Sequence, residues 1–341
     1  MPVPPTLLRR LVAAPLVLLV EAAVVAISPL LGLIAALAAT LDRGRRLLRA
    51  LAITTAYCAY HVAATLACLA LWAASGFGRE MGSERMRRAH YALLRWFVAA
   101  VYRAVVRHAR VQVQVVESQA AEEALAARRR PVVVLSRHAG EGDSLLVLHM
   151  LVCRYGRNPR LVLHEALRLD PLIDALGRRL PARFVDPHGG DTEVEIGAMA
   201  EGMGADDAVL IFPEGGNFSP ARRQRAIERL ERAGHDEEAA WAREMLHVSA
   251  PRPGGTLAAL DAAPTANVVL VAHVGVPIGL RDLWRLLPEE QTIALRLWLV
   301  AADEIPTGRD ERIDWLFGLW RMLDRWIAER EEVAQRSPDG S

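Results

Sequence analysis

Residues 131–146 read PVVVLSRHAGEGDSLL. An apolar run with no polar interruption gives way to a polar turn, and a helical apolar pattern (LLVLHMLV) starts at once. A strand buried on both faces reads this way, because neither side of the pleat meets water. The motif recurs along the chain. VQVQVV (111–116) alternates, whereas RLVLH (160–164), AVLIFP (208–213), NVVLVAHVG (267–275) and TIALRLWLV (292–300) are nearly continuous apolar runs. Helical patterns fall between them, over 119–129, 143–156, 170–180, 192–204, 220–246 and 256–262. Strands alternating with helices predict an α/β fold with a mostly parallel central sheet flanked by helices. The pattern over 309–334 predicts a closing helix, with Trp315, Trp320 and Trp326 expected to pack in the core rather than anchor at a membrane interface.

In such a sheet, ligands gather at the carboxyl ends of the strands. His138 and Asp143 follow one strand, five positions apart across a glycine-bearing turn. An imidazole is a natural base for a hydroxyl proton near neutral pH. A carboxylate on its second nitrogen would hold the tautomer and stabilise the imidazolium that forms. Gly140 and Gly142 are expected to allow a tight turn. Two plainer readings stand beside this one: Asp143 as the N-cap of helix 143–156, and His138 as a loop histidine.

The second strand end is IFPEGGNFSP, 211–220. Backbone N–H groups in the turn Phe212-Pro213-Glu214-Gly215-Gly216 are candidates for holding phosphate oxygens. Arg222, Arg223 and Arg225 follow and could add guanidinium contacts; the plainer reading is a strand-to-helix loop before a solvated basic helix. The segment 163–191 mixes His164, Arg168, Arg178, Arg179 and Arg183 with apolar residues, as an anion-binding element or an amphipathic connection. VGVPIGL, 274–280, ends a strand in a proline turn. HGGD at 188–191 and HE at 164–165 lack metal-ligand spacing, so no metal is expected. There is no G-x-S-x-G elbow and no phosphate-binding P-loop.

The 341 residues carry a net charge of +1, which marks no nucleic-acid partner. All 41 basic residues are arginine, so any cation that holds phosphate here is a guanidinium, suited to paired bonds with oxyanions. The lysine-free, alanine-rich composition suggests a GC-rich bacterial genome. Cys58, Cys68 and Cys153 have no redox or metal spacing and are expected to be buried thiols.

Residues 11–41 and 50–78 are long apolar runs, and about 20 such residues cross a bilayer. They are too long, and too closely repeated, for a secretory signal. Arginines stand before the first run (Arg9, Arg10), between the two (Arg43, Arg45, Arg46, Arg49) and after the second (Arg79, Arg85, Arg87, Arg88). The positive-inside rule wants all three groups on one side, which two full crossings cannot provide. Re-entrant runs, or a protein held in one leaflet, are expected instead. Residues 84–110 form a basic amphipathic pattern, suited to an anionic membrane surface or to the solvated side of a packed helix. The expected organisation is a membrane-embedded segment (1–80), an α/β domain (81–334) and a flexible tail (335–341).

Taken in order, apolar N-terminal helices, SRHAGEGD, FPEGGNFSP and VPI resemble the glycerolipid acyltransferases of the lysophosphatidate acyltransferase type. The resemblance covers roughly residues 85–300. The long insertion before VPI, with LHVSAPRPGGTLAAL at 246–260, is similar to the subgroup that acylates lysocardiolipin and lysophosphatidylinositol. It implies direct acyl transfer without an acyl-enzyme. His138 would be the base and Asp143 its orienting partner. Phe212 to Gly216 would place the acceptor. Acyl-CoA or acyl carrier protein would be the donor, with no further cofactor, and a lysophospholipid the acceptor, by default lysophosphatidate.

Two motifs depart from the family pattern. Gly216-Asn217 stands where Thr-Arg is usual, and Pro187 where an arginine often follows Val-Asp. Arg183, Arg222 or Arg223 would then hold the acceptor phosphate, or the acceptor would be a larger phosphodiester or glycolipid. Thioester donors are cytosolic, so the catalytic face is expected on the cytoplasmic side of a bacterial cell membrane. A membrane-anchored hydrolase using the same pair, and a non-catalytic lipid-binding protein, are the readings from other classes.

Overall fold

The computed structural model describes residues 3–39, 44–140, 142–186, 192–275, 284–285, 287 and 289–336. Glu141, Pro187, HGGD, VPI and the end of the tail lie outside them. Seven strands form one sheet: β1 (Val111–Val116), β2 (Val132–Ser136), β3 (Asn158–His164), β4 (Ala182–Val185), β5 (Asp207–Ile211), β6 (Asn267–Val274) and β7 (Gln291–Val300). The order across the sheet is β1-β7-β6-β2-β5-β3-β4. Every neighbouring pair is parallel except β6 and β7. Five strands, β6, β2, β5, β3 and β4, therefore present their carboxyl ends along one edge.

The continuous apolar runs have the predicted cause. Val133 and Leu135 face one layer of helices, packing with Val209, Val268, Leu270 and the core face of the closing helix. Val132 and Val134 face the other layer, with Ala208, Leu210, Val269 and Val271. Each such valine or leucine stabilises the fold by about 1.5–3 kcal/mol on burial. Trp320 and Trp326 are buried in the first of these cores, and Trp315 packs against its margin.

In chain order the helices are α1 (Ala14–Ala39), α2 (Gly44–Ala74), α3 (Glu84–Ala109), α4 (Gln119–Ala127), α5 (Asp143–His149), α6 (Pro171–Gly177), α7 (Thr192–Ala200), α8 (Pro220–Arg232), α9 (Asp236–Glu244), α10 (Pro253–Ala262) and α11 (Arg309–Arg336). The structure departs from the sequence pattern in four places. The single helix expected over 220–246 is two, because Gly234 takes φ +75° and turns the chain. Strand β4 has no apolar run to announce it; it is a four-residue edge strand, partly exposed and carrying Arg183. The helix expected over 143–156 continues from α5 as a π-helical turn, Met150–Arg154. Cys58 and Cys68 are buried as expected, but Cys153 is only half-buried.

The apolar N-terminal runs form two helices long and apolar enough to cross a membrane, 33 and 30 residues. None of the most apolar stretch of the first is buried, so it takes no part in the core of the described residues. The second lies along the α/β domain. Arg49 Nη1 donates to the Leu287 carbonyl at 2.8 Å, His61 Nε2 lies 3.1 Å from Asp170 Oδ1, and Arg179 Nη1 donates to the Cys68 carbonyl at 2.8 Å. These contacts run along about 28 Å of helix, close to the thickness of a bilayer core. α2 is thus strapped to the domain over the length a crossing would need. α3 packs Met86, Tyr91, Leu94 and Val98 inward and turns its arginines to solvent.

Candidate functional site

β2 ends at Ser136, and the turn that follows brings His138 and Asp143 together. His138 Nδ1 lies 3.0 Å from Asp143 Oδ2. The same oxygen accepts from the backbone N–H groups of Ala139 (2.7 Å) and Gly140 (3.1 Å). Asp143 is not the side-chain N-cap of α5; it sits in the first turn, with Gly142 at the cap. Its carboxylate reaches back across the turn, and the helix N-terminus favours the charge there. Gly142 has φ −86°, so its place does not depend on left-handed backbone.

Asp143 is fully buried while the His138 side chain is 20 % exposed, so the pair has one closed and one open end. Burial pushes the Asp143 carboxyl up. The hydrogen bond and charge of His138, with the Gly140 N–H, outweigh this and leave it below its ordinary 3.8. The stability it contributes is therefore present above about pH 3.8 and is lost as pH falls further.

The open end of His138 faces a groove of about 400 Å³ at the carboxyl edge of the sheet. Val162 and Leu163 of β3, Val185 of β4, Ile196 of α7 and Phe212 give it an apolar lining. The Phe212 ring stacks on His138 with centroids 4.4 Å apart. Gly215 and Gly216 turn at φ +71° and +153°. Two guanidiniums close over this turn. A Cβ at Gly215 would come 3.0 Å from Arg252 Nε, and one at Gly216 would strike Arg222. Among the described residues neither arginine side chain has a hydrogen-bonding or acidic partner.

The other expected site residues lie elsewhere or act differently. Glu214 is turned inward. Its Oε1 accepts from the His138 N–H at 2.9 Å and its Oε2 from the Ser249 N–H at 2.8 Å. It ties the His138 turn to the 246–250 loop and presents no oxygen to the groove. The Pro213 carbonyl accepts from the Arg252 N–H at 2.8 Å, fixing the base of Arg252. Arg223 caps α9 by donating to the carbonyls of Met245, Ala242 and Arg243. Arg183 lies in a neighbouring groove, 3.1 Å from Glu195.

Four residues were not singled out from the sequence. Arg252 is one, inside the quoted 246–260 segment. Arg137, buried, donates to the carbonyls of His273 and His247. Asp324 on α11 accepts from the N–H groups of Leu246 and His247. His273 lies behind Asp143, its Nε2 3.8 Å from Oδ2, and neither ring nitrogen has a hydrogen-bond partner among the described residues. Burial, helped by Arg137, pushes its pKa down to about 3, so it is a neutral imidazole. Its signal in the sequence is a single histidine inside the apolar run NVVLVAHVG.

Burial pushes Glu214 up to about 7, against the opposing pull of the Ser249 and His138 N–H groups and of Arg137. Its folded pKa lies above its ordinary 4.5, so its contribution is full below about pH 4.5 and is lost as pH rises through about 7. The gap corresponds to about 3 kcal/mol. Glu214→Gln cannot ionise, so its unfolding free energy is expected to change less than that of the wild type between pH 5 and pH 8. Urea titrations at the two pH values check this; parallel changes in both proteins would rule it out.

Residues 112–249 match the family model described as Acyltransferase. The match begins in β1, holds both His138 and Asp143, and ends at Ser249, where Glu214 makes its second bond. No curated protein matches the chain. This match supports acyl transfer as the general activity.

Proposed function

We propose that the protein is a membrane-associated O-acyltransferase that acylates a hydroxyl of a lysophospholipid, with lysophosphatidate the default acceptor. The observation that carries this is the His138–Asp143 pair, 3.0 Å apart, opening onto an apolar groove within the acyltransferase-family segment. Asp143 takes the Nδ1 side of the ring, which leaves Nε2 for the acceptor hydroxyl. His138 removes the hydroxyl proton as the oxygen attacks the thioester carbonyl. The carbon–sulfur bond then breaks, and the leaving thiolate takes the proton back from the imidazolium. Both charges appear and vanish beside a carboxylate held ionised by the turn.

The apolar walls suit an acyl chain. Arg222 and Arg252 stand where the acceptor's phosphate would lie, above the Gly215-Gly216 turn, and replace the guanidinium expected after the FPEG motif. The outward apolar side of the first helix supports an association with a membrane. With α2 strapped to the domain, a hairpin in one leaflet puts all three arginine groups on one side, the cytoplasmic side where thioesters are made.

The test is transfer from labelled acyl thioesters of coenzyme A and acyl carrier protein in lipid vesicles. The acceptors are lysophosphatidate, lysophosphatidylinositol, glycerol 3-phosphate and an uncharged monoacylglycerol. Diacyl product and flotation of the protein with the vesicles are expected. Arg222→Ala and Arg252→Ala should each raise KM for lysophosphatidate about 10–100-fold, the scale of one charge-assisted hydrogen bond. KM for the uncharged acceptor should stay nearly constant. Labelled free fatty acid in place of diacyl product would make the protein a hydrolase. No thioester cleavage with any donor would leave a lipid-binding role.

A further inference from the structure

A second groove, about 630 Å³, lies against β4 and α7, the elements that also line the His138 groove. The two grooves share those elements as a common wall. Val185 and Ile196 line the first, and Phe184 and Glu195 line the second. Three guanidiniums, Arg168, Arg178 and Arg183, face the second groove, and Glu195 is the one carboxylate among its described lining residues.

The pairs nearby neutralise only part of this charge, and Arg183 Nε lies 3.1 Å from Glu195. Arg178 Nε lies 3.2 Å from Asp174, but Asp174 is also held by Arg9 at 3.3 Å and Arg10 at 3.5 Å. One carboxylate thus serves three guanidiniums. Arg168 lies over the Phe184 ring at 4.8 Å, and its Nε is buried with no acceptor among the described residues. The ring sits where a Cβ at Gly177 would be 2.6 Å away, so the glycine leaves room for this aromatic floor. A groove with excess guanidinium charge and a flat ring beneath one cation fits phosphate groups attached to a planar base.

We propose that this second groove binds the phosphate-bearing half of the acyl donor, the nucleotide phosphates of coenzyme A, while its thioester reaches His138 past β4. The proposal rests on the acyltransferase reading above. It gives the two sets of arginines different tasks: Arg222 and Arg252 hold the acceptor, and Arg168 and Arg183 hold the donor. An anionic lipid headgroup is the rival occupant, since Arg9 and Arg10 bring the first helix close. The wall shared with the His138 groove favours the donor.

The experiment compares KM for three donors with the same acyl chain: acyl-CoA, acyl-4′-phosphopantetheine and acyl-pantetheine, which has no phosphate. In the double variant Arg168→Gln/Arg183→Gln, KM for acyl-CoA should rise at least tenfold relative to KM for acyl-pantetheine. The phosphopantetheine donor should fall between if one phosphate is bound. Glu195→Gln removes the competing carboxylate and should lower KM for acyl-CoA, a change that a damaged fold does not produce. Equal effects on all three donors, or none, would overturn the proposal. So would a double variant whose only loss is binding to anionic vesicles, which would assign the groove to lipid. Calorimetric binding of coenzyme A to the wild type and the double variant needs no turnover. A tenfold weaker affinity in the variant supports the groove even if transfer fails, and equal affinities overturn it even if transfer succeeds.

Discussion

His138→Ala is expected to lower the rate of acyl transfer by about 10²–10⁴-fold, the range of a positioned general base. The acceptor hydroxyl would lose the group that takes its proton, while Phe212, Arg222 and Arg252 remain to hold the substrate. The loss should therefore fall in kcat, with KM for the acceptor changed little. The side chain is 20 % exposed and its backbone N–H stays bonded to Glu214, so the melting temperature should move little. Initial rates at saturating donor, beside a melting curve, check both. A variant that keeps wild-type kcat would remove His138 from the chemistry.

The second large effect is expected from Asp143→Asn. Alanine is the poorer choice here. It would leave the Ala139 and Gly140 N–H groups and the imidazole without their acceptor in a fully buried place, at about 1–3 kcal/mol each. Asparagine can keep one carbonyl oxygen for all three donors and remove only the charge. What it loses is the stabilisation of the imidazolium as it forms. A fall in kcat of about 10²–10⁴-fold is expected, comparable with that of His138→Ala. The double variant His138→Ala/Asp143→Asn should be little worse than either alone, because the two residues act as one unit. Multiplying losses in the double variant would mean that Asp143 acts independently of His138.

Glu214 shows why the type of a residue in a motif does not reveal its role. Its position beside two glycines reads as a ligand contact. In the fold the carboxylate points the other way, because two backbone N–H groups, from His138 and Ser249, converge there with no other acceptor. Arg183 and Arg223 teach the same lesson. An arginine in the sequence announces a guanidinium near a site, but its partners, Glu195 for Arg183 and the carbonyls ending α9 for Arg223, decide where it goes. Arg183 turns into the second groove, and Arg223 is taken up by the last carbonyls of α9.

Some of this protein was determined by the sequence alone. The apolar runs specified a sheet covered on both faces, since such strands have no side that water can wet. The five-residue spacing of His138 and Asp143 after one of those runs allowed their pairing, because a short turn at a strand end keeps both ends within reach, but left a helix cap and a loop histidine as equal readings until the fold showed the 3.0 Å contact. Only the tertiary structure decided the rest. It brought Arg252 over Gly215, His273 behind Asp143, and Asp324 of the last helix against the loop that carries Ser249. Each of these joins segments tens to more than a hundred residues apart, whose meeting depends on the order of strands across the sheet. That order follows from how the whole set of helices and strands buries its apolar surface together, a property no local stretch of chain contains.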